Sequence, residues 1–389
     1  MRAFPLFLFI AISMLGILID YIKERINRKM NRRNFLTALG IGSIASTIAA
    51  NASAHRVFSE ISTDPLFTGN TLETAGTIER ILPNGLKKGS VVAITAPASP
   101  TSPGEIAATV SLLRSNGFKV VVGDTITKHT TNFRYLSGSD EERANEFMDF
   151  IQRKDVDCIL CARGGYGVMR ILNLIDFDII KQNPKIIIGF SDITALLNSI
   201  FNLTGLVAFH GPVAATTFDK FTFDNFKKVL FMEQQFTPIE VIEPNTNIIT
   251  AGSGSGKIVG GNLKMLVSTL GTPYEVDTTD SVLFIEEVSE HAYQIDRMLT
   301  QLLLSNKLQK ANAIVFGQFK ELNKRSSFFP TKSYTIKEVL DQLITPLKIP
   351  SIVGMPFGHI QRKMTLPIGI NAILDTKLSK LTITEKSVS

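Results

Sequence analysis

The chain has 389 residues, enough for two domains with separate cores, since single cores usually stop growing at about 250–300 residues. Its formal charge of +6 is concentrated at one end: the first 54 residues hold seven Lys/Arg against two Asp/Glu, leaving 34 basic and 33 acidic residues in the rest. The near-neutral body lacks the basic surface that a nucleic-acid binder needs, and no nucleic-acid partner is expected.

Residues 1–54 read as a targeting region. Met30-Asn31-Arg32-Arg33-Asn34-Phe35-Leu36 sets paired arginines before a mildly apolar run over 35–50, and Ala52-Ser53-Ala54 supplies an A-x-A cleavage pattern. From about residue 30 this resembles a bacterial twin-arginine export signal. It implies the twin-arginine translocon as a partner during export and a periplasmic or otherwise exported body. Ahead of it, residues 3–19 form a second uncharged run, at the lower limit for spanning a bilayer. Either that run is an N-terminal membrane anchor or translation starts at Met30. The completeness of the signal from Met30 favours the second.

Residues 55–87 form a polar lead-in, after which strands and helices alternate. An N-terminal domain over 88–217 has strands expected at 90–95, 119–122, 157–162 and 185–189. Helices are expected at 105–116, 140–153, 167–175 and 192–202. This alternation implies a doubly wound, mostly parallel sheet. Over 218–250 the period is lost and a linker is expected. A second α/β domain over 251–385 has strands near 256–259, 281–288 and 313–316, helices at 293–304 and 336–343, and short strands to its end. Gly252-Ser253-Gly254-Ser255-Gly256-Lys257 superficially resembles a phosphate loop, but its glycine spacing is wrong and Ile258 follows the lysine. It reads as a turn.

The two cysteines, Cys158 and Cys161, lie in an apolar strand pattern with no second ligand pair, so buried thiols are expected and no metal site. Chemistry is expected elsewhere. In Ile186-Ile187-Ile188-Gly189-Phe190-Ser191-Asp192 an apolar strand ends at a glycine and then offers a serine at a helix start. That is the layout of a nucleophile elbow. The competing reading is an ordinary helix cap, since Ser is a favoured N-cap. One βαβ unit earlier, Arg163-Gly164-Gly165-Tyr166-Gly167 follows another strand, so both loops emerge at the carboxyl edge where α/β sheets bind ligands. Backbone amides of Gly164, Gly165 and Asp192 are candidates for an oxyanion hole. A serine needs a base, and His359, in a stiff Pro/Gly loop, is the better placed histidine. His210 is a candidate pocket residue, while His55 and His129 are poorly placed. For the orienting carboxylate an apolar strand runs into Glu286 and Glu287, which point to opposite faces, and the pattern leaves the choice open.

These motifs, with His210-Gly211-Pro212, Gly260-Gly261-Asn262-Leu263 and Pro356-Phe357-Gly358-His359, occur in the order found in serine LD-carboxypeptidases. That family comprises murein tetrapeptide carboxypeptidases and microcin C self-immunity peptidases, and the resemblance covers roughly residues 86–381. It implies a Ser191–Glu286–His359 triad, an oxyanion hole at Gly164, Gly165 and Asp192, no cofactor and no metal. It also implies a nucleophile domain plus a smaller C-terminal domain with the site in the cleft between them, and a homodimer. The substrate implied is a muropeptide whose terminal D-alanine is removed at an L,D-peptide bond in cell-wall recycling or remodelling. A cation must then hold the terminal carboxylate, and Arg163 is the candidate by position. The chain departs from the family at Phe190, where Tyr is more usual, and in its export signal. Two rivals remain: a microcin-immunity-like peptidase acting on a peptidyl-nucleotide or another amide, and an exported, non-catalytic solute-binding protein.

Overall fold

The first half of the chain builds a sheet from units that alternate as their apolar runs predict. They are β1 (Val91–Thr95), α1 (Pro103–Ser115), β2 (Lys119–Val122), α2 (Asp124–Thr127), α3 (Asp140–Gln152), β3 (Cys158–Cys161), α4 (Val168–Ile171), α5 (Phe177–Gln182), β4 (Ile186–Gly189), α6 (Thr194–Thr204) and β5 (Ala208–His210). The computed structural model describes residues 79–128, 134–231, 236–319 and 333–389; the targeting region, His55 and His129 lie outside them. Every residue of β3 and β4 is buried, as expected of a parallel sheet covered on both faces. Helix starts are set by side chains: Ser102 with Glu105, and Ser139 with Glu142, form reciprocal capping boxes at α1 and α3.

The second half comprises α7 (Lys220–Leu230), β6 (Ile239–Ile242), β7 (Asn247–Thr250), β8 (Ser253–Asn262), α8 (Leu263–Ser268), β9 (Ser281–Glu286), α9 (Ala292–Leu304), β10 (Ala313–Gly317), α10 (Ile336–Leu343), β11 (Ser351–Met355), β12 (Leu366–Ile368), β13 (Asn371–Asp375) and β14 (Lys380–Ile383). The strands form two sheets. The six-stranded one has the order β12-β5-β4-β3-β1-β2, and the eight-stranded one β6-β14-β13-β8-β9-β10-β11-β7. The first is parallel except for β12; the second is mixed, with a parallel centre from β8 to β11.

Two segments differ from the sequence reading. The stretch 218–250, expected to be a linker, contributes α7 and two strands of the larger sheet. The glycine-rich run expected to be a turn is, from Ser253, the first half of β8, paired with β13 and, from Lys257 on, with β9. Its glycines have a packing reason: a Cβ at Gly254 or Gly256 would fall about 2 Å from a backbone carbonyl of a neighbouring segment.

The two sheets meet at a seam. β12 leaves the C-terminal half and pairs antiparallel with β5, setting Leu366 opposite His210. At the end of β8 the backbone runs directly against α6. The Asn198 amide donates to Gly260 O at 2.8 Å, and Asn262 N donates to Thr194 Oγ1 at 3.0 Å. Gly261, at φ +140°, leaves no space there, because a Cβ would come within 2.5 Å of the Thr194 side chain. Gly261→Ala is therefore expected to destabilise the protein by about 1–3 kcal/mol through strain and overpacking. Denaturant unfolding of the variant measures this, and an unchanged midpoint would contradict the close approach.

Candidate active site

Ser191 stands just past the carboxyl end of β4, at φ +66°, a left-handed conformation that a serine adopts only under constraint from its surroundings. The short 3-10 turn Ser191–Ile193 runs on into α6, and neither helix start carries a side-chain cap bond. The cap reading therefore fails. The Ser191 hydroxyl instead lies 3.1 Å from His359 Nε2, and His359 Nδ1 lies 2.6 Å from Glu286 Oε2. Glu286 ends β9 of the larger sheet and His359 follows β11, so the three groups are drawn from both sheets.

Strand alternation separates the two neighbouring acids. Glu286 is fully buried and faces His359, while Glu287 turns away to accept from Asn262 Nδ2 at 3.0 Å, Lys264 N at 2.9 Å and Val288 N at 2.9 Å. Their protonation preferences diverge accordingly. Burial pushes the Glu286 carboxyl up, but its hydrogen bond to His359, the charge His359 carries when protonated and smaller contributions from His210 and the Asn262 side chain more than offset this, holding it below the ordinary value. Glu287 is pushed up, by burial and by the charge of Glu286, against its hydrogen bonds. An ionised carboxylate on Nδ1 selects the tautomer whose Nε2 can accept the Ser191 proton.

The glycine loop after β3 lies against Ser191. Gly164 packs on Ser191 so closely that a Cβ there would lie 2.9 Å from its Oγ. Ser99 anchors the loop: its N–H donates to Gly164 O at 3.2 Å and its hydroxyl accepts from Tyr166 N at 3.0 Å. The Asp192 side chain accepts from Val168 N at 2.8 Å, tying the nucleophile turn to the helix after that loop. Burial pushes the Asp192 carboxyl up, opposed by that N–H and by Arg143.

Arg143 is a residue that the sequence reading missed. It is fully buried and donates to Pro97 O at 2.5 Å, Gly167 O at 2.9 Å and Asp140, clamping the loops after β1 and β3 together. The signal was present: Arg143 shares the inward face of α3 with Phe147, Phe150 and Ile151, where a lone cation must find acceptors.

Two other expectations resolve differently. Arg163 is half-exposed in the glycine loop, with Glu105 at 3.8 Å as its ion-pair partner among the described residues, so its head remains accessible. His210 does not line an accessible pocket; it is 1% exposed and packed among Phe190, Phe284 and Phe357 behind the triad. Burial pushes its imidazole down to about 4. Cys158 and Cys161 are buried in β3, and burial pushes both thiols up, Cys161 to about 12, so neither is a ready nucleophile.

Residues 92–211 match the LD-carboxypeptidase N-terminal domain and residues 255–374 the LD-carboxypeptidase C-terminal domain. The chain belongs to the LD-carboxypeptidase family. It is 38% identical over 314 residues to the probable murein peptide carboxypeptidase of Bacillus subtilis, covering 79% of this chain and 95% of that one. It is 30% identical over 325 residues to the microcin C7 self-immunity protein MccF of Escherichia coli, covering 76% and 92%. The solved muramoyltetrapeptide carboxypeptidase of Oxalobacter formigenes superposes with a TM-score of 0.67 at 30% identity, over 76% of this chain and 99% of that one. The protein is a serine-type hydrolase of this family, and the reading as a non-catalytic solute-binding protein falls with that assignment.

Glu286→Gln is expected to lower kcat by about three to four orders of magnitude, as loss of the orienting acid does in serine triads. Glu287→Gln should leave kcat within about tenfold, because it supports the loop rather than the imidazole. Steady-state kinetics of the two variants decide between the acids; equal losses would contradict the geometry. A second outcome concerns pH. The unfolded chain protonates His210 near 6.5, whereas the folded protein resists this down to about 4, so stability falls as pH drops through that window. The fall attributable to His210 is about 3 kcal/mol, and it should disappear from the pH dependence of unfolding in His210→Phe.

Proposed function

We propose that this hydrolase removes the terminal D-alanine from murein tetrapeptides, cleaving the L,D-peptide bond through an acyl-enzyme on Ser191. The observation that carries the reading is the unbroken chain Glu286–His359–Ser191, at 2.6 and 3.1 Å, in a chain similar to a murein peptide carboxypeptidase.

In this mechanism His359 Nε2 takes the proton from Ser191 Oγ as the oxygen attacks the carbonyl carbon of the diamino acid. Glu286 accepts from Nδ1–H and stabilises the imidazolium that forms. The carbonyl oxygen becomes an oxyanion beside the Gly164–Gly165 loop and the Asp192 amide, where backbone N–H groups can meet it. Collapse breaks the C–N bond, His359 passes its proton to the departing amine, and D-alanine leaves. Water, deprotonated by His359, then attacks the ester and releases the shortened peptide and Ser191. Arg163 is the proposed partner of the substrate's terminal carboxylate, supported by its accessible head in the loop beside Ser191.

The paired arginines Arg32 and Arg33 ahead of an apolar run support export through the twin-arginine route, which would set this chemistry in the periplasm or beyond it. A homodimer is proposed on the family resemblance alone. A second reading, a peptidyl-nucleotide or other amide as substrate, draws its support from the similarity to MccF.

The test incubates the purified full chain with a murein tetrapeptide ending in D-alanine and follows the products by mass spectrometry beside Ser191→Ala. Loss of one D-alanine from the wild type only is expected, with Ser191→Ala slower by about four orders of magnitude. Retained turnover in that variant would sink the nucleophile assignment. Cleavage of an aminoacyl sulfamoyl nucleoside with no cleavage of the tetrapeptide would support the second reading instead. Arg163→Ala should raise KM for the tetrapeptide by about tenfold with little change in kcat, as loss of a charged hydrogen bond made in both ground and transition states does.

A further inference from the structure

His359 reaches the site on a segment, residues 356–365, that crosses from β11 in the larger sheet to β12 in the smaller one. Met364 N donates to Pro356 O at 2.7 Å, so the ends of this segment close on each other and His359 stands in the loop between them. Just before His359 the loop is pressed against the acid: a Cβ at Gly358 would meet the Glu286 side chain at 2.7–3.0 Å. Just after it the loop is gripped by α7, the helix in the stretch expected to be a linker. The Thr222 hydroxyl accepts from Lys363 N at 3.0 Å and donates to Gln361 O at 3.2 Å. Phe221, the residue before Thr222, packs its ring on the Arg362 guanidinium at 3.8 Å, and Arg362 also pairs with Glu243 at 2.5 Å. Two adjacent residues in the first turn of α7 thus hold three consecutive residues of the loop.

Thr222 is completely buried. A valine would fill the same outline, and a hydroxyl taken out of water is favourable only where it finds partners. The helix does not need it as a cap, because Asp219 serves there, accepting from Thr222 N at 2.7 Å. Its partners are both in the His359 loop. From Lys363 the contact returns to the imidazole: the ammonium stands 4.9 Å from the centre of the Phe190 ring, and that ring stands edge-on to His359 at 4.8 Å.

We propose that Thr222 is a positioning residue for His359: its hydroxyl holds the returning half of the loop and so keeps Nε2 at hydrogen-bonding distance from Ser191. The imidazole is fixed at Nδ1 by Glu286, at 2.6 Å, so a shift of the loop is felt at the other nitrogen, where the separation is already 3.1 Å. Loops drift unless their backbone is tied, and a misplacement of about 1 Å can cost a hundredfold in rate.

The inference rests on the Ser191–His359–Glu286 reading, and the experiment keeps the two separable. Thr222→Val, Thr222→Ala and Thr222→Ser are compared with wild type and with Val229→Ala, which removes buried methyl groups from the far end of α7. Three quantities are measured well below every Tm. These are kcat and KM on the murein tetrapeptide, the rate at which a serine-directed phosphonate labels Ser191, and Tm itself. The labelling rate reports on the serine whichever amide is the true substrate. In Thr222→Val, kcat and labelling are expected to fall together by about tenfold or more, with KM within about twofold. Thr222→Ala loses the same hydroxyl and should show the same fall, which keeps the question decidable if the valine variant does not fold. Thr222→Ser keeps the hydroxyl and should stay within about threefold of wild type in both rates. Val229→Ala should lower Tm and leave both rates near wild type.

Wild-type kcat and labelling in Thr222→Val or Thr222→Ala would overturn the inference and leave Thr222 a purely stabilising residue, with the triad reading intact. An equal loss in Thr222→Ser, or a matching loss in Val229→Ala for the same fall in Tm, would overturn it as well. Failure of wild-type Ser191 to label would overturn the triad reading first, and this one with it.

Discussion

The separation of 3.1 Å between Ser191 and His359 is set across a seam between two sheets, and everything chemical in this protein depends on that seam. Ser191 belongs to the six-stranded sheet, and His359 and Glu286, to which it is linked, belong to the eight-stranded one. A hydrogen bond weakens steeply with a displacement of half an ångström, so the two sheets must be locked together rather than merely packed. Two devices do this. β12 adds a strand of the C-terminal half to the six-stranded sheet, and the Gly260–Gly261–Asn262 end of β8 lies directly on α6, the helix that follows the Ser191 turn. The first uses backbone hydrogen bonds and the second side chain-to-backbone ones, whose directionality fixes a register that apolar contact alone would leave free to slide.

Around this seam the structure uses buried polar groups where a core would ordinarily be apolar. Arg143, Asp192, Glu286 and Glu287 are each nearly or completely out of solvent, and each has specific partners on loops near the site. Buried charge is unfavourable unless it is paired and hydrogen-bonded, so such residues add little net stability compared with well-packed apolar ones. What they add is position. Arg143 joins the loops after β1 and β3, Asp192 joins the nucleophile turn to α4, and Glu287 holds the start of α8. The strained φ of Ser191 persists because these neighbours over-determine it.

The sequence and the structure divide the account unevenly. The alternation of short apolar runs with amphipathic ones specified the parallel sheet, and the strand that stops at Gly189 before Ser191 specified where a nucleophile would be exposed. These are local properties, set by a period of two or 3.6 residues and by the need for a small residue at a sharp turn. The same local reading could not recover 218–250, because edge strands such as β6 and β7 need little apolar patterning and take their definition from partners far along the chain. It mistook the first half of β8 for a turn for a related reason: its glycines answer to carbonyls of other segments.

Whether Ser191 caps a helix or meets His359, and which of Glu286 and Glu287 faces that imidazole, lay with the tertiary structure. Each depends on where a side chain from more than seventy positions away arrives. The burial of His210, the clamp at Arg143 and the accessibility of Arg163 are of the same kind. By itself, the order of motifs along the chain determined the family and named the candidate groups, because chemistry demands particular residue types in particular local settings. Only the folded seam decided which of those groups touch, because a hydrogen bond between residues 168 positions apart has no signature in the sequence around either one.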